Sequence, residues 1–126
     1  MQFYSSPLTR EARLPFSEAV RVGDVIYLSG QIGNLPGKLE LAPGGIEAET
    51  RQIMENIRCA LEPLGRSLDD VFRGSVMLRD MRQWGAFNRV YVEYFKLDRL
   101  PVRTAFGVAD LVLGAAVEME CWATAV

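Results

Sequence analysis

The chain has 126 residues, 49% hydrophobic and 24% charged, which fits one folded domain and leaves little room for a second. Its net charge of −2 gives no basic surplus, so binding to nucleic acid is not expected. The chain contains no histidine, which excludes Ser-His and Cys-His nucleophile pairs and the commonest metal ligand. We therefore expect a single domain over residues 1–126 whose chemistry uses carboxylates, arginine, hydroxyls and water, with no metal or cofactor.

No targeting or membrane segment is predicted. The N-terminal residues, MQFYSSPLTREARLPF, carry charges where a signal peptide needs an apolar core. The apolar run over 111–117 is far too short to cross a bilayer. Cys59 and Cys121 are isolated, so reduced thiols are favoured over a disulfide. These features predict a cytoplasmic protein that does not bind membranes.

The predicted elements follow from the spacing of apolar residues and from turns rich in Gly and Pro. A turn at Gly23-Asp24 separates two β-branched and aromatic runs, which is typical of a β-hairpin. Gly65 is placed to end the first helix, and Asp80 to cap the second. In chain order we predict strands over 16–22 and 25–31, a helix over 46–64, a strand over 68–79, a helix over 84–95, and two closing strands separated by a turn near 112–114.

This order, β-β-α-β-α-β-β, predicts an α+β domain in which two helices cover one face of a sheet. Several strands are apolar at consecutive positions, for example Val25–Leu28 and the last strand around Trp122. A sheet with one solvent-exposed face would alternate apolar and polar residues more strictly. We therefore expect other subunits to cover the second face, which makes the protein an oligomer.

Three charged residues interrupt the closing hairpin, which is otherwise rich in Val, Ala and Leu. Arg103 shares a strand face with the small residues Ala105 and Gly107, which leave room around the guanidinium. Glu118 and Glu120 share one face of the last strand. One interpretation is a cross-strand Arg-Glu pair with a structural role. The other is that Arg103 binds a substrate carboxylate while Glu118 acts on a water or a ligand amine, and the spacing alone does not decide between them.

The same hairpin resembles a signature of the RidA/YjgF family, in which Pro-Val-Arg-Thr is followed by a glutamate fifteen residues after the arginine. Here those residues are Pro101–Thr104 and Glu118. The resemblance covers nearly the whole chain, because other segments are similar to the family's Ser-Gly-Gln strand and to its two helices. In order, these segments are Tyr27–Ile32, Gln52–Leu61 and Phe87–Tyr91. Their conjunction is more specific than any single motif.

The resemblance implies a chorismate-mutase-like subunit that assembles as a homotrimer, with the sheets forming a central barrel and clefts lying between subunits. It also implies an enzyme that hydrolyses reactive 2-imino and enamine acids, such as those derived from 2-aminoacrylate, to 2-oxo acids and ammonia. The implied ligand is a small imine or oxo acid that carries a carboxylate. This chemistry needs neither a metal nor a histidine, because an imine carbon is already electrophilic and the site mainly holds the substrate and delivers one water.

The resemblance assigns roles to particular residues. Arg103 would bind the substrate carboxylate, and Glu118 would orient or deprotonate the attacking water. Ser29, beside Gly30, would add a hydroxyl contact, although a hydroxyl satisfied within its own turn is an equal alternative. Asn88 lies on the same helical face as Trp84 and Tyr91, and it either contacts the ligand or is buried and bonded to backbone.

The chain departs from the family pattern in its N-terminal segment, at Leu113-Gly114 in place of Leu-Pro, and at two candidate site positions. Phe16 follows a proline where active members usually have Tyr, and Ala105 stands where they commonly have Cys. Both would still line the site, but they place the chain outside the archetypal RidA group and favour an alternative function. That alternative is a non-catalytic module that binds small carboxylic metabolites at subunit interfaces. RNA cleavage, also attached to the family, gains little support from this acidic chain without histidine, and Glu120 is expected to be a secondary or surface charge.

Overall fold

The chain forms one seven-stranded sheet with its two long helices on the same side. A computed structural model describes all residues from 1 to 126. The strands are β1 (Gln2–Tyr4), β2 (Ala19–Val22), β3 (Val25–Leu28), β4 (Gln31–Ile32), β5 (Val71–Leu78), β6 (Val102–Gly107) and β7 (Val117–Thr124). The helices are α1 (Pro7–Glu11), α2 (Gly45–Leu61) and α3 (Trp84–Tyr91). No helix is both long and apolar enough to span a membrane.

The predicted α+β class and the order of the main elements are confirmed. The strands are arranged β1-β2-β3-β7-β5-β6, and the short β4 also pairs with β7. All pairings are antiparallel except β5 with β6, which the crossover through α3 makes parallel. The structure adds β1, α1 and β4 to the prediction. The predicted closing hairpin is wrong: β6 and β7 do not pair with each other, because β5 lies between them and pairs with both.

The ends of the helices follow from identifiable residues. α2 stops at Leu61, earlier than predicted, because Pro63 allows only a short 3-10 turn after it. Gly65 then adopts a left-handed backbone with φ of 72°, as its predicted role at the helix end requires. Asp80 accepts a hydrogen bond from the Arg82 N–H at 2.9 Å and caps the turn that leads into α3.

The core lies between the helices and one face of the sheet. α2 contributes a fully buried stripe at helical spacing, and alternate residues of β5 and β7 face it. The largest of these side chains are Ile53, Met54, Ile57, Leu61, Val76, Leu78, Val117 and Met119. Burial of each such side chain contributes about 1.5–3 kcal/mol relative to leaving it in water.

The opposite face of the sheet is uncovered in a single subunit. Val102 is 64% exposed there, and Phe106 and Phe72 also present large apolar surfaces. The Trp122 ring packs edge-on against Tyr27, with ring centres 5.0 Å apart. Polar and charged residues such as Thr104 and Glu120 lie between these apolar side chains on the same face. The second face therefore exposes several large apolar side chains, as the strand pattern predicts, but it is mixed and not uniformly apolar.

Candidate active site in two halves

Arg103 projects to the helix side of the sheet. It lies opposite Gly74 of β5, which in turn lies opposite the buried Cys121 of β7. Residues opposite one another in a sheet project to the same face, so Arg103 points towards α3. Gly74 makes room for this arrangement, because a Cβ there would lie only 2.9 Å from the Met119 methyl and 3.7 Å from the Arg103 Cγ.

Aromatic rings from α3 support the Arg103 guanidinium. Its Cζ lies 4.8 Å from the centre of the Tyr91 ring, 5.4 Å from that of Phe87 and 6.0 Å from that of Trp84. Such contacts hold a cation through the negative faces of the rings. Arg103 forms no salt bridge within the subunit. Its N–H groups therefore have no carboxylate partner of their own.

Two other polar groups on α3 lack partners. The Asn88 Oδ1 and the Tyr91 hydroxyl are both buried without a hydrogen bond, so the bonded alternative for the Asn88 carbonyl is not found. Burial raises the pKa of Tyr91 to about 12, and the nearby charge of Arg103 offsets only part of this effect. Tyr91 is therefore a neutral phenol at physiological pH. Ala105, half-buried and two residues after Arg103, shares its strand face.

Glu118 projects to the other side of the sheet. It lies opposite Met77 of β5 and Ile32 of β4, and its Oε2 rests against Gly30. A Cβ at position 30 would collide with this oxygen, so the carboxylate depends on the glycine for its place. Partial burial raises the pKa of Glu118, and the neighbouring Glu120 charge raises it further.

Glu118 opens into a cleft of about 1350 Å³ that Phe16, Ser29 and Gly30 also line. Phe16 is 50% exposed and provides an aromatic wall without a hydroxyl. The Ser29 hydroxyl donates to the Ser17 carbonyl at 2.6 Å, as the local alternative predicts, and only its lone pairs remain free for a ligand.

The candidate residues thus form two half-sites on opposite faces of one subunit. The Arg103 half contains Asn88 and Ala105, and none of these three lines the cleft of Glu118. The structural alternative, a cross-strand pair of Arg103 with Glu118, is absent. The contacts of the α3 aromatic rings with Arg103 were not predicted from the sequence. Their spacing from Trp84 to Tyr91 was visible, but it also fits ordinary core packing.

Comparisons with known proteins agree with this fold. The family model described as Endoribonuclease L-PSP matches residues 8–125. A RutC family protein of Sulfurisphaera tokodaii is 41% identical over 105 residues, 83% of each chain. A 2-iminobutanoate/2-iminopropanoate deaminase of Mus musculus is 40% identical over 106 residues, 84% of this chain and 78% of the mouse protein.

Solved structures give the same result. A putative endoribonuclease from Thermotoga maritima superposes with a TM-score of 0.88 at 35% identity and covers 98% of both chains. RidA from an Antarctic Psychrobacter superposes with a TM-score of 0.82 at 37% identity, covering 87% of this chain and 88% of its own. The fold is thus that of a class of small α+β proteins whose members carry deaminase or endoribonuclease names. The chain belongs to the RidA/YjgF family.

Proposed function

We propose that the protein hydrolyses reactive 2-imino acids, and their enamine tautomers after conversion to the imine, to 2-oxo acids and ammonia. The observation that carries this proposal is the Arg103 guanidinium, which is held by aromatic rings and has no carboxylate partner. A planar fork of N–H groups without a counter-ion suits a small carboxylate ligand. Several relatives named as 2-iminobutanoate/2-iminopropanoate deaminases support the same reaction.

The active enzyme in this proposal is a homotrimer. Arg103 and Glu118 lie on opposite faces of one sheet, so they can act on one substrate only if they come from different subunits. The exposed apolar face around Phe106 and Trp122 would be buried between copies in the barrel. Sedimentation should then give a mass three times that of the 14.1 kDa chain.

The proposed reaction adds one water across the C=N bond. The substrate carboxylate binds Arg103, which fixes the C2 carbon near Glu118 of the other subunit. The Glu118 carboxylate accepts a proton as the water oxygen attacks C2, the C=N electron pair moves to nitrogen, and Glu118 returns the proton to that nitrogen. In the resulting carbinolamine, the hydroxyl proton passes through Glu118 to the amine, the C–N bond breaks to release ammonia, and the oxygen forms the C=O bond. The raised pKa of Glu118 makes it a stronger base than an ordinary carboxylate.

The other predicted residues complete the two halves of this site. Ser29 and Gly30 would bound the water side of the cleft, and Phe16 would cover it. The unpaired Oδ1 of Asn88 would accept a hydrogen bond from the ligand near Arg103. Ala105 would contact the ligand from the strand below it. Each of these roles is a proposal and depends on the assembly of the trimer.

The direct test generates 2-iminopropanoate with an amino acid oxidase and follows its lifetime by trapping the remaining imine with semicarbazide. We expect the protein to shorten that lifetime, and Arg103→Ala and Glu118→Gln each to lower the rate at least about 100-fold. Arg99→Ala and Glu93→Gln, two exposed charges away from both halves, are matched controls that should retain the rate. A rate equal to that in buffer would overturn the proposal.

The absence of a hydroxyl at Phe16 favours a second candidate, a non-catalytic module that holds 2-oxo acids at the same arginine. Calorimetry with pyruvate separates the two functions. Saturable binding that Arg103→Ala abolishes, together with no acceleration of imine hydrolysis, would select the binding module.

A further inference from the structure

A strip of partly exposed residues lies beside Arg103, between β6 and the start of α3. Arg103, Ala105 and Gly107 follow one another on the helix side of β6. Ala105 is half-buried and Gly107 is exposed, so the strip is accessible within the subunit. Met81 lies over the far end of the strip, because a Cβ on Gly107 would be 3.1 Å from the Met81 Cγ. The strip therefore has a cation at one end and a thioether at the other.

The start of α3 flanks this strip. Trp84 begins the helix and lies beside the guanidinium, with its ring centre 6.0 Å from the Arg103 Cζ. Trp84 is 46% exposed and Met81 is 43% exposed, although both are large and apolar. We call the surface formed by Met81, Trp84, Ala105 and Gly107 the apolar recess. It is exposed apolar surface directly next to a cation without a counter-ion.

We propose that the apolar recess binds the side chain of the substrate, so that the preferred substrates are 2-imino acids with large apolar side chains. This inference rests on the proposed function. Residues two apart in a strand are separated by about 6.7 Å, so an acid anchored at Arg103 can lay its side chain over Ala105 towards Gly107. Ala105 carries only a methyl group and Gly107 has no side chain, so neither residue would obstruct a bound side chain. Met81, which is flexible, and Trp84, which is broad, adapt to side chains of different shape.

This preference differs from what the relatives' names describe. 2-Iminopropanoate and 2-iminobutanoate carry only a methyl and an ethyl group, which would reach the Ala105 end of the recess but not Met81. A side chain such as that of leucine, methionine or phenylalanine would fill it. Apolar pockets discriminate by about 10-fold or more for each fully buried methylene, and less where burial is partial.

The test compares kcat/KM for imino acids generated from alanine, 2-aminobutyrate, leucine, methionine and phenylalanine. We expect the leucine-derived substrate to exceed the alanine-derived one about 10-fold, because roughly half of its added surface would be buried. Met81→Ala and Trp84→Ala should reduce this ratio to near one. Both side chains are exposed, so the variants should fold, and circular dichroism checks this. Leu97→Ala, an exposed apolar control outside the recess, should leave the ratio unchanged.

A binding arm separates failure of the recess from failure of the enzyme. Calorimetry compares pyruvate with 4-methyl-2-oxopentanoate, which need no turnover. Tighter binding of the larger acid that Met81→Ala abolishes supports the recess even if no imino acid is hydrolysed, an outcome that would overturn only the deaminase function. Equal affinities, or a preference that both variants retain, overturn the recess while hydrolysis of 2-iminopropanoate would still stand.

Discussion

The two half-sites hold opposite charges in different ways. Arg103 lies on aromatic rings, which attract the cation without occupying its N–H groups. Glu118 is partly buried against the backbone of Gly30 and lies near the charge of Glu120; burial raises its pKa most, and that charge raises it further. The first environment keeps hydrogen-bond donors free for an anion, whereas the second produces a stronger base. In the proposed reaction, each half would serve a different step, the first binding the carboxylate and the second activating the water.

Their separation has an electrostatic consequence. An arginine and a glutamate on the same sheet face would pair with each other, and each would then compete with the ligand of the other. On opposite faces of the sheet they form no such pair within one subunit. In the proposed trimer they would meet only across an interface, where a substrate can lie between them.

The largest expected effect comes from Gly30→Ala, because Glu118 is the neighbour that the added Cβ would meet. The added Cβ would collide with the Glu118 carboxylate and push it away from its place against the backbone. A displacement of about 1 Å costs roughly 100-fold in rate, so kcat/KM for 2-iminopropanoate should fall by about that factor.

Gly85→Ala is the matched control for this variant. A Cβ there would meet its nearest neighbour at 3.7 Å, an ordinary contact, and alanine favours the helix. It should leave kcat/KM unchanged. A Gly30→Ala enzyme as active as the wild type would show that the place of Glu118 against Gly30 is irrelevant to catalysis.

The next effect concerns stability, and here we expect the Glu118 half to oppose folding. Burial raises the pKa of Glu118 above its ordinary value of 4.5, so the folded state holds this proton more tightly than the unfolded state. The wild type should therefore lose stability as the pH rises through the window above 4.5. Glu118→Gln cannot ionise, so at pH 7 its Tm should exceed that of the wild type by about 2 °C despite its inactivity.

Thermal unfolding followed at pH 4 and at pH 7 checks this sign. The advantage of Glu118→Gln should be small at pH 4 and larger at pH 7. A variant that is less stable than the wild type at neutral pH would mean that the carboxylate stabilises the fold through contacts other than those described.

The smallest effect is expected from Glu120→Gln. The Glu120 charge contributes to the raised pKa of Glu118, although burial contributes more. Removing the charge should move the acidic limb of the kcat/KM profile to lower pH by a fraction of a unit, and added salt should reduce the difference. Glu93→Gln serves as the control, because Glu93 pairs with Arg51 on the helix surface. If the acidic limb of the kcat/KM profile does not move, the Glu120 charge has no influence on the pKa of Glu118.

The sequence was informative about the long elements and less so about the short ones. α2 and β5 have clear apolar periodicity, and their prediction is confirmed apart from the ends. β1 and β4 have only three and two residues, and their strand conformation depends on pairing with β2 and β7, which no local pattern records.

The separation of the two half-sites could not be predicted for a similar reason. Alternation along each strand was correct, but the face shared by residues of different strands depends on register. That register becomes visible only once Gly74 of β5 is placed between Arg103 and Cys121. A register shift between Val71 and Arg73 also reverses which β5 residues face the core, and single-strand alternation does not show it.

The most direct test of the two-half account is complementation between inactive variants. Arg103→Ala and Glu118→Gln chains would be unfolded together in equal amounts, refolded, and assayed against 2-iminopropanoate, with each variant refolded alone as the control. If each site takes its arginine and its glutamate from different subunits, random trimers should regain about a quarter of the wild-type sites and activity. A mixture as inactive as its two parents would contradict the account, because both residues would then have to act from the same subunit.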